Sequence, residues 1–349
     1  MSFKATIERA VARTILRLPD NIILKMAGGV PIVVDDRKQD VRAQFLGVQS
    51  ARGPQLATMT PTEARAAMQT GLEMLADKPE RGVTITQSSI EGPGGSLPVR
   101  LYRPTNIAGQ LPGLLYFHMG GCVIGNLDTC HVFCSMLAAR GELAVTSVDY
   151  RLAPEHSFPA PVEDALAAWR WFTSHGESLG IDTTRLGVGG DSAGGYLSAV
   201  LAQQMKATNG PLPQLQLLIY PVVDMTAQGG SLDSCANIQP LTRELMDWFI
   251  GHYLNAPDEA SDVRASPFKF ADKTGLAPAV VITAGFDTLR DQGHAYAEAL
   301  AEAGVPVTER CYDGLAHGFT AMTGVIPAAR TACLEIVDDV RRVLSGAAM

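Results

Sequence analysis

Short apolar runs alternate with amphipathic stretches through most of this chain, and that rhythm limits the possible folds more than any other feature. The runs are Leu114–Phe117, Leu143–Val148, Leu186–Gly189, Leu215–Tyr220, Ala279–Thr283 and Val307–Tyr312. Between and after them lie helix-length segments at about 128–140, 160–175, 193–207, 288–303 and 328–344. In the second segment Val162, Ala165, Leu166, Trp169 and Phe172 form one stripe; in the last, Ala329, Ala332, Cys333, Ile336, Val337, Val340 and Leu344 do. Brief apolar runs separated by one-sided helices predict a mostly parallel sheet covered by helices on both faces. Upstream, Val83–Ile90 and Leu97–Tyr102 flank the turn-forming EGPGGS, which predicts a hairpin at an antiparallel edge.

Residues 1–80 have a different texture. A helix is expected over Thr62–Leu75, where Thr60 and Pro61 supply a start signal. The N-terminal stretch reads as an amphipathic helix with Ile7, Val11, Ile15 and Leu18 near one face, expected to pack on the protein itself. Glu8, Arg9, Arg13 and Arg17 interrupt it, so it lacks the h-region of a signal peptide, and no apolar run approaches a membrane span. A second irregular stretch separates Tyr220 from Ala279, with one helix expected near Leu241–Leu254. An insertion at the C-terminal end of the strands can cover a site.

With a formal charge of -8 and no Lys/Arg cluster, the chain has no basic footprint for nucleic acid. The cysteines, at 122, 130, 134, 235, 311 and 333, are irregularly spaced and read as free thiols of a reducing, cytoplasmic compartment. Cys130, His131 and Cys134 sit close in sequence without a second Cys/His pair, so buried thiols rather than a metal site are expected. A mildly acidic enzyme acting on neutral small molecules fits this composition, and no cofactor is expected.

The strongest local signal is GVGGDSAGG at 187–195, which contains the G-x-S-x-G pentapeptide around Ser192. A strand is expected to end before it and a helix to open at Ala193. The sharp turn would lift Ser192 above the sheet, and the flanking glycines would let strand and helix pass closely. The Ala193 N–H would then face the oxygen that becomes negative during attack. A serine needs a base, and of the seven histidines His317 alone follows the last strand, in DGLAHGF. Asp287 is the first carboxylate after the preceding strand and is the expected acid; Asp291 is the runner-up and Asp313 a third. A second oxyanion donor is expected from the loop His118-Met119-Gly120-Gly121.

Together these segments resemble the hormone-sensitive lipase family, the bacterial family IV esterases of the α/β-hydrolase fold. HMGGCVIGNLDT at 118–129 resembles its oxyanion segment, and VDYRLAPEHSFPAPVEDA at 148–165 the block after the next strand. GDSAGG resembles its nucleophile elbow, FDTLRDQG its acid segment with Thr288 in place of proline, and AHGF its histidine loop. The resemblance implies a carboxylesterase of short- to medium-chain esters, with Ser192, Asp287 and His317 as triad. It implies Gly120, Gly121 and Ala193 as oxyanion donors, and His118 as a brace for their loop. It also implies a helical cap, expected as residues 1–50 over a catalytic domain of 51–349, with a contribution from 225–260. A homodimer is compatible with it. Met119 stands where the family has its first glycine. Amide cleavage by the same residues is an alternative; a ligand-binding receptor reading is disfavoured because His317 is present.

Overall fold

The computed structural model describes residues 10–346. Its strands are β1 (Val33–Val34), β2 (Arg37–Lys38), β3 (Val83–Gly92), β4 (Gly95–Pro104), β5 (Leu111–Phe117), β6 (Ala144–Val148), β7 (Ile181–Asp191), β8 (Leu215–Ile219), β9 (Ala279–Phe286) and β10 (Val307–Ala316). The helices are α1 (Asp20–Met26), α2 (Val41–Arg52), α3 (Pro61–Leu75), α4 (His131–Gly141), α5 (Ala160–His175), α6 (Ala193–Ala207), α7 (Ser231–Ser234), α8 (Arg243–Tyr253), α9 (Arg290–Glu302) and α10 (Pro327–Leu344). The main sheet has eight strands in the order β10-β9-β8-β7-β5-β6-β4-β3. It is parallel from β10 to β6, and the hairpin β3/β4 joins it antiparallel, as the alternation of the sequence predicts.

Period-two alternation divides each central strand between two cores. Leu115 and Phe117 of β5 pack with α5 and α6, whereas Leu114 and Tyr116 pack with α4 and α10. Both faces are therefore covered, which is why the strands read as uninterrupted apolar runs. The strand order reverses between β5 and β7, and open sheets of this kind bind ligands beyond the carboxyl ends at such a point.

The N-terminal residues differ from the expected stripe. Residues 10–15 are helical, but Val11 is 53% exposed and Leu16 is the buried one; Ile7 lies outside the described residues. Leu16, Ile23, Ala27, Ala43 and Phe45 join the core that contains Leu315 and Phe319, on either side of His317 in sequence. A small hairpin, β1/β2, was not legible in the sequence; its Arg37 pairs with Asp313 at 2.8 Å. Helix α3 starts as expected: Glu63 accepts from the Thr60 N–H at 2.9 Å while Thr60 accepts from the Glu63 N–H, a capping box that stabilises by about 1 kcal/mol. Among the described residues no helix is long and apolar enough to cross a membrane.

Candidate active site

Ser192 sits at the turn between β7 and α6 with φ 57° and ψ -115°. A serine held at positive φ stores strain on the order of 1–3 kcal/mol, so the surroundings must enforce it. They do so by close packing. A Cβ on Gly190 would lie 2.5 Å from the Phe117 carbonyl oxygen, and one on Gly194 would lie 1.9 Å from that same atom. The Ser192 N–H donates to the Ile219 carbonyl at 2.8 Å, which ties the turn to β8.

Asp287 and His317 meet because of strand register. Strand β10 is irregular between Tyr312 and Ala316, then returns to pair Ala316 with Phe286 of β9. The next residue on each strand is therefore His317 and Asp287. His317 Nδ1 is 2.7 Å from Asp287 Oδ2, and His317 Nε2 is 2.9 Å from Ser192 Oγ. The carboxylate accepts only, so Nδ1 carries the proton and Nε2 is free to accept from the serine hydroxyl. The other Asp287 oxygen accepts from the Leu289 N–H at 2.9 Å, which fixes the carboxylate from both sides. All three side chains are buried.

The two other candidate acids lie apart from this line. Asp291 accepts from the Ser231 N–H at 2.8 Å and pairs with Arg290 at 2.8 Å. Asp313 is exposed and pairs with Arg37. His131 faces Tyr102 and Arg100, His175 stacks on Trp171, His252 packs on Trp248, and His294 pairs with Glu309.

The loop after β5 faces Ser192. Gly120 has φ 129° and Gly121 φ 61°, both in the region that favours glycine. A Cβ on Gly120 would lie 2.0 Å from the Ile124 carbonyl oxygen. That segment turns back on itself, with the Val123 and Ile124 N–H groups donating to the Gly120 carbonyl at 3.0 and 2.9 Å. Among the described residues no hydrogen bond consumes the N–H of Gly120 or Gly121. His118 is fully buried; its Nδ1–H donates to the Met119 carbonyl at 2.8 Å and its ring stacks on Tyr150 at 4.3 Å. The Tyr150 hydroxyl donates to the His118 carbonyl at 2.7 Å. Burial pushes the His118 imidazole down to about 4, so it is neutral at ordinary pH and braces the loop rather than exchanging protons. Met119 does not have positive φ, and its side chain lines the cavity beside Gly318.

Ser192 and His317 open into a cavity of about 330 Å³ walled mainly by apolar side chains, among them Met68, Leu72, Leu241, Leu245, Phe249 and Met322. A smaller recess of about 30 Å³ lies on the Ala193 side, bounded by Tyr196, Val222 and Leu289, and Phe249 borders both. The walls come from residues 50–75 and from 240–250, together with the loops around Met119 and His317. Residues 10–49 contribute no wall residue; they pack against the histidine side instead. A larger surface groove of about 590 Å³ near Asp77, Arg140 and Arg330 is lined by no serine, cysteine or histidine, and its Glu80 is already paired with Arg140 and Arg330. The sequence marked 225–260 as a covering segment but not Phe249 or Leu245 as wall residues; their amphipathic spacing on α8 fits any buried helix. Among the described residues no group of three or more His, Cys, Asp or Glu converges as a metal site.

The family model for the alpha/beta hydrolase fold matches residues 114–321. The carboxylic ester hydrolase LipN of Mycobacterium tuberculosis is 42% identical over 273 residues, 76% of this chain and 72% of LipN. The ethyl acetate hydrolase of Pseudomonas putida is 38% identical over 286 residues, 81% of this chain and 90% of its own. The ester-hydrolase EH1AB1 from the metagenome of Lake Arreo, solved with a derivative of bipyridine phosphonate, superposes with a TM-score of 0.82 at 38% identity, covering 86% of this chain and 96% of its own. A match over more than half the chain, with relatives this similar along most of their length, means that the chain belongs to the hormone-sensitive lipase, or family IV esterase, branch of the α/β-hydrolase fold.

Proposed function

We propose that this protein is a carboxylesterase that hydrolyses short- to medium-chain esters through an acyl-enzyme on Ser192. The observation that carries the reading is the continuous line Ser192 Oγ, His317, Asp287, at 2.9 and 2.7 Å, on the floor of an apolar cavity. Its relatives' names point the same way.

Ser192 Oγ attacks the ester carbonyl carbon while its proton passes to His317 Nε2. Asp287 holds the ring in the tautomer that leaves Nε2 basic and stabilises the imidazolium that forms. The carbonyl oxygen takes up negative charge and accepts hydrogen bonds from the N–H groups of Gly120, Gly121 and Ala193. The C–O bond then breaks, and the alcohol departs with the proton from His317. Water repeats the two transfers on the acyl-enzyme and releases the acid.

Residues 50–75 and 236–254 act as the cap that shields the acyl-enzyme from bulk water and holds the apolar part of the ester. The six free thiols, five of them buried, support a reducing, cytoplasmic location. The test is a series of p-nitrophenyl esters from acetate to laurate, run on the wild type and on Ser192→Ala. Turnover of the acetate to octanoate members is expected, with a loss on the order of 10⁶ in Ser192→Ala. A folded Ser192→Ala that kept a tenth of the turnover would rule the mechanism out.

A further inference from the structure

Next to His317 lies a buried polar cluster that the mechanism above does not use. Asp191 ends β7, precedes Ser192 and is 1% exposed. Its Oδ2 is 2.8 Å from Thr320 Oγ1 and 3.2 Å from the Tyr220 hydroxyl, and those two hydroxyl oxygens are 2.6 Å apart. Two hydroxyl protons serve three contacts, so the cluster is a closed triangle in which each hydroxyl donates either to the carboxylate or to the other hydroxyl. Among the groups acting most strongly on this carboxylate, His317 is the one that can carry positive charge.

One of the two hydroxyls belongs to a side chain that walls His317, the other to its loop. The Tyr220 ring packs against the imidazole, centroids 4.6 Å apart, and against Phe319 at 5.3 Å. Thr320 lies three residues beyond His317 on the same loop. The bond from Nδ1 to Asp287 defines an axis but not a plane, because the ring can still rotate about that line. The Tyr220 ring against the imidazole face removes that freedom. We propose that Asp191 is a positioning residue: its carboxylate holds Tyr220 and Thr320, and through them sets the plane of the His317 ring toward Ser192. The proposal rests on the reading of Ser192, His317 and Asp287 as the reacting line. It also explains why an unpaired carboxylate stands in the core, where burial disfavours its charge: it lies where the imidazolium forms.

The other groups that face Asp191 do not change charge in the working range. They are Tyr116 from β5, Tyr150 after β6, Tyr220 after β8, Cys134 from α4 and Cys333 from α10, and burial pushes all five upward. The charge that Asp191 meets is therefore that of the imidazolium formed on His317 during the reaction.

The experiment compares Asp191→Asn, Tyr220→Phe, Thr320→Val and Ser192→Ala with the wild type on p-nitrophenyl acetate, with folded fraction measured for each. Asp191→Asn is expected to lower kcat by about 10- to 100-fold with KM changed less than about threefold, because orientation rather than binding is lost. Tyr220→Phe and Thr320→Val should lower kcat less, because the carboxylate and one of its two hydroxyl partners remain. A folded Asp191→Asn with wild-type kcat would overturn the proposal. Should Asp191→Asn not fold, wild-type kcat in both Tyr220→Phe and Thr320→Val would overturn it equally. An active Ser192→Ala would overturn the triad and this proposal with it, whereas an inert Ser192→Ala beside a fully active Asp191→Asn overturns this proposal alone.

Discussion

A Cβ on Gly121 would lie 2.3 Å from the ring of Phe249, so the loop that faces Ser192 and the helix that walls the cavity meet with no room for a methyl group. The oxyanion loop and α8 therefore cannot shift independently. Gly121→Ala should lower kcat by about 10²- to 10³-fold, the loss associated with one oxyanion donor, because either the loop or the ring must give way. Adding Phe249→Ala should recover at least about tenfold of that loss by making space. No recovery would mean that the positive φ at Gly121, not the ring, sets the cost.

Asp287 and Asp291 separate by what they touch. Asp287→Asn should cut turnover by roughly 10⁴, because the imidazole loses its oriented tautomer and its counter-charge. Asp291 accepts from the Ser231 N–H and pairs with Arg290, so Asp291→Asn should act on thermal stability and keep most of the turnover. Steady-state kinetics with melting curves on both variants checks this; the reverse pattern would move the acid to Asp291.

Met119 lines the cavity without positive φ, so its backbone asks nothing that only glycine could give. Met119→Gly should keep hydrolysis of small esters within about tenfold, about 1.4 kcal/mol in the barrier. It should raise the relative rate on bulky alcohol esters and cost on the order of 1 kcal/mol of stability through unfolded-state entropy. Loss of all hydrolysis in a folded Met119→Gly would give the side chain an essential role.

Truncation and cap substitutions should have different signatures. Removing residues 1–45 deletes Leu16, Ile23, Ala27, Ala43 and Phe45 from the core beside the His317 loop, together with the Asp40 N–H bond to the Gly314 carbonyl. Acetate and octanoate hydrolysis should fall together, with a lowered melting temperature. Leu72→Trp fills the cavity instead and should reduce octanoate turnover more than acetate. A truncated protein that melts normally and loses octanoate alone would place the acyl chain against the N-terminal segment.

His118 makes stability depend on pH. Its folded pKa, about 4, lies below the ordinary 6.5 because burial disfavours the charged ring. Between those values the unfolded chain binds the extra proton, so stability is fully present above the unfolded value and is lost as pH falls toward the folded one. The loss amounts to roughly 3 kcal/mol at most. Urea unfolding of the wild type and of His118→Gln between about pH 7 and 4.5 checks this, with a flatter dependence expected in the variant. Parallel slopes would remove His118 from the account.

The sequence by itself determined the layered sheet, because runs buried on both faces must be apolar throughout, and α5 and α10 carry their stripes where the structure buries them. It also singled out Ser192, Asp287 and His317, because each follows directly on a strand end and strand ends converge on one edge of a parallel sheet. Which N-terminal helix walls the cavity was not legible: the helices within residues 10–49 and α3 are alike in sequence texture, and only their packing partners show that the former support the histidine loop while the latter walls the cavity. The tertiary structure likewise decided that Ala316 returns to pair with Phe286 after an irregular stretch, which is what sets His317 opposite Asp287. It also decided the cluster at Asp191, whose bond to Thr320 joins residues 129 apart in the chain. A carboxylate inside a G-x-S-x-G turn reads as a solvated loop residue until the hydroxyls that surround it are known, and those come from other strands. Periodicity reports burial along one element, whereas a site depends on which elements become neighbours, and that is set by the packing of the whole chain.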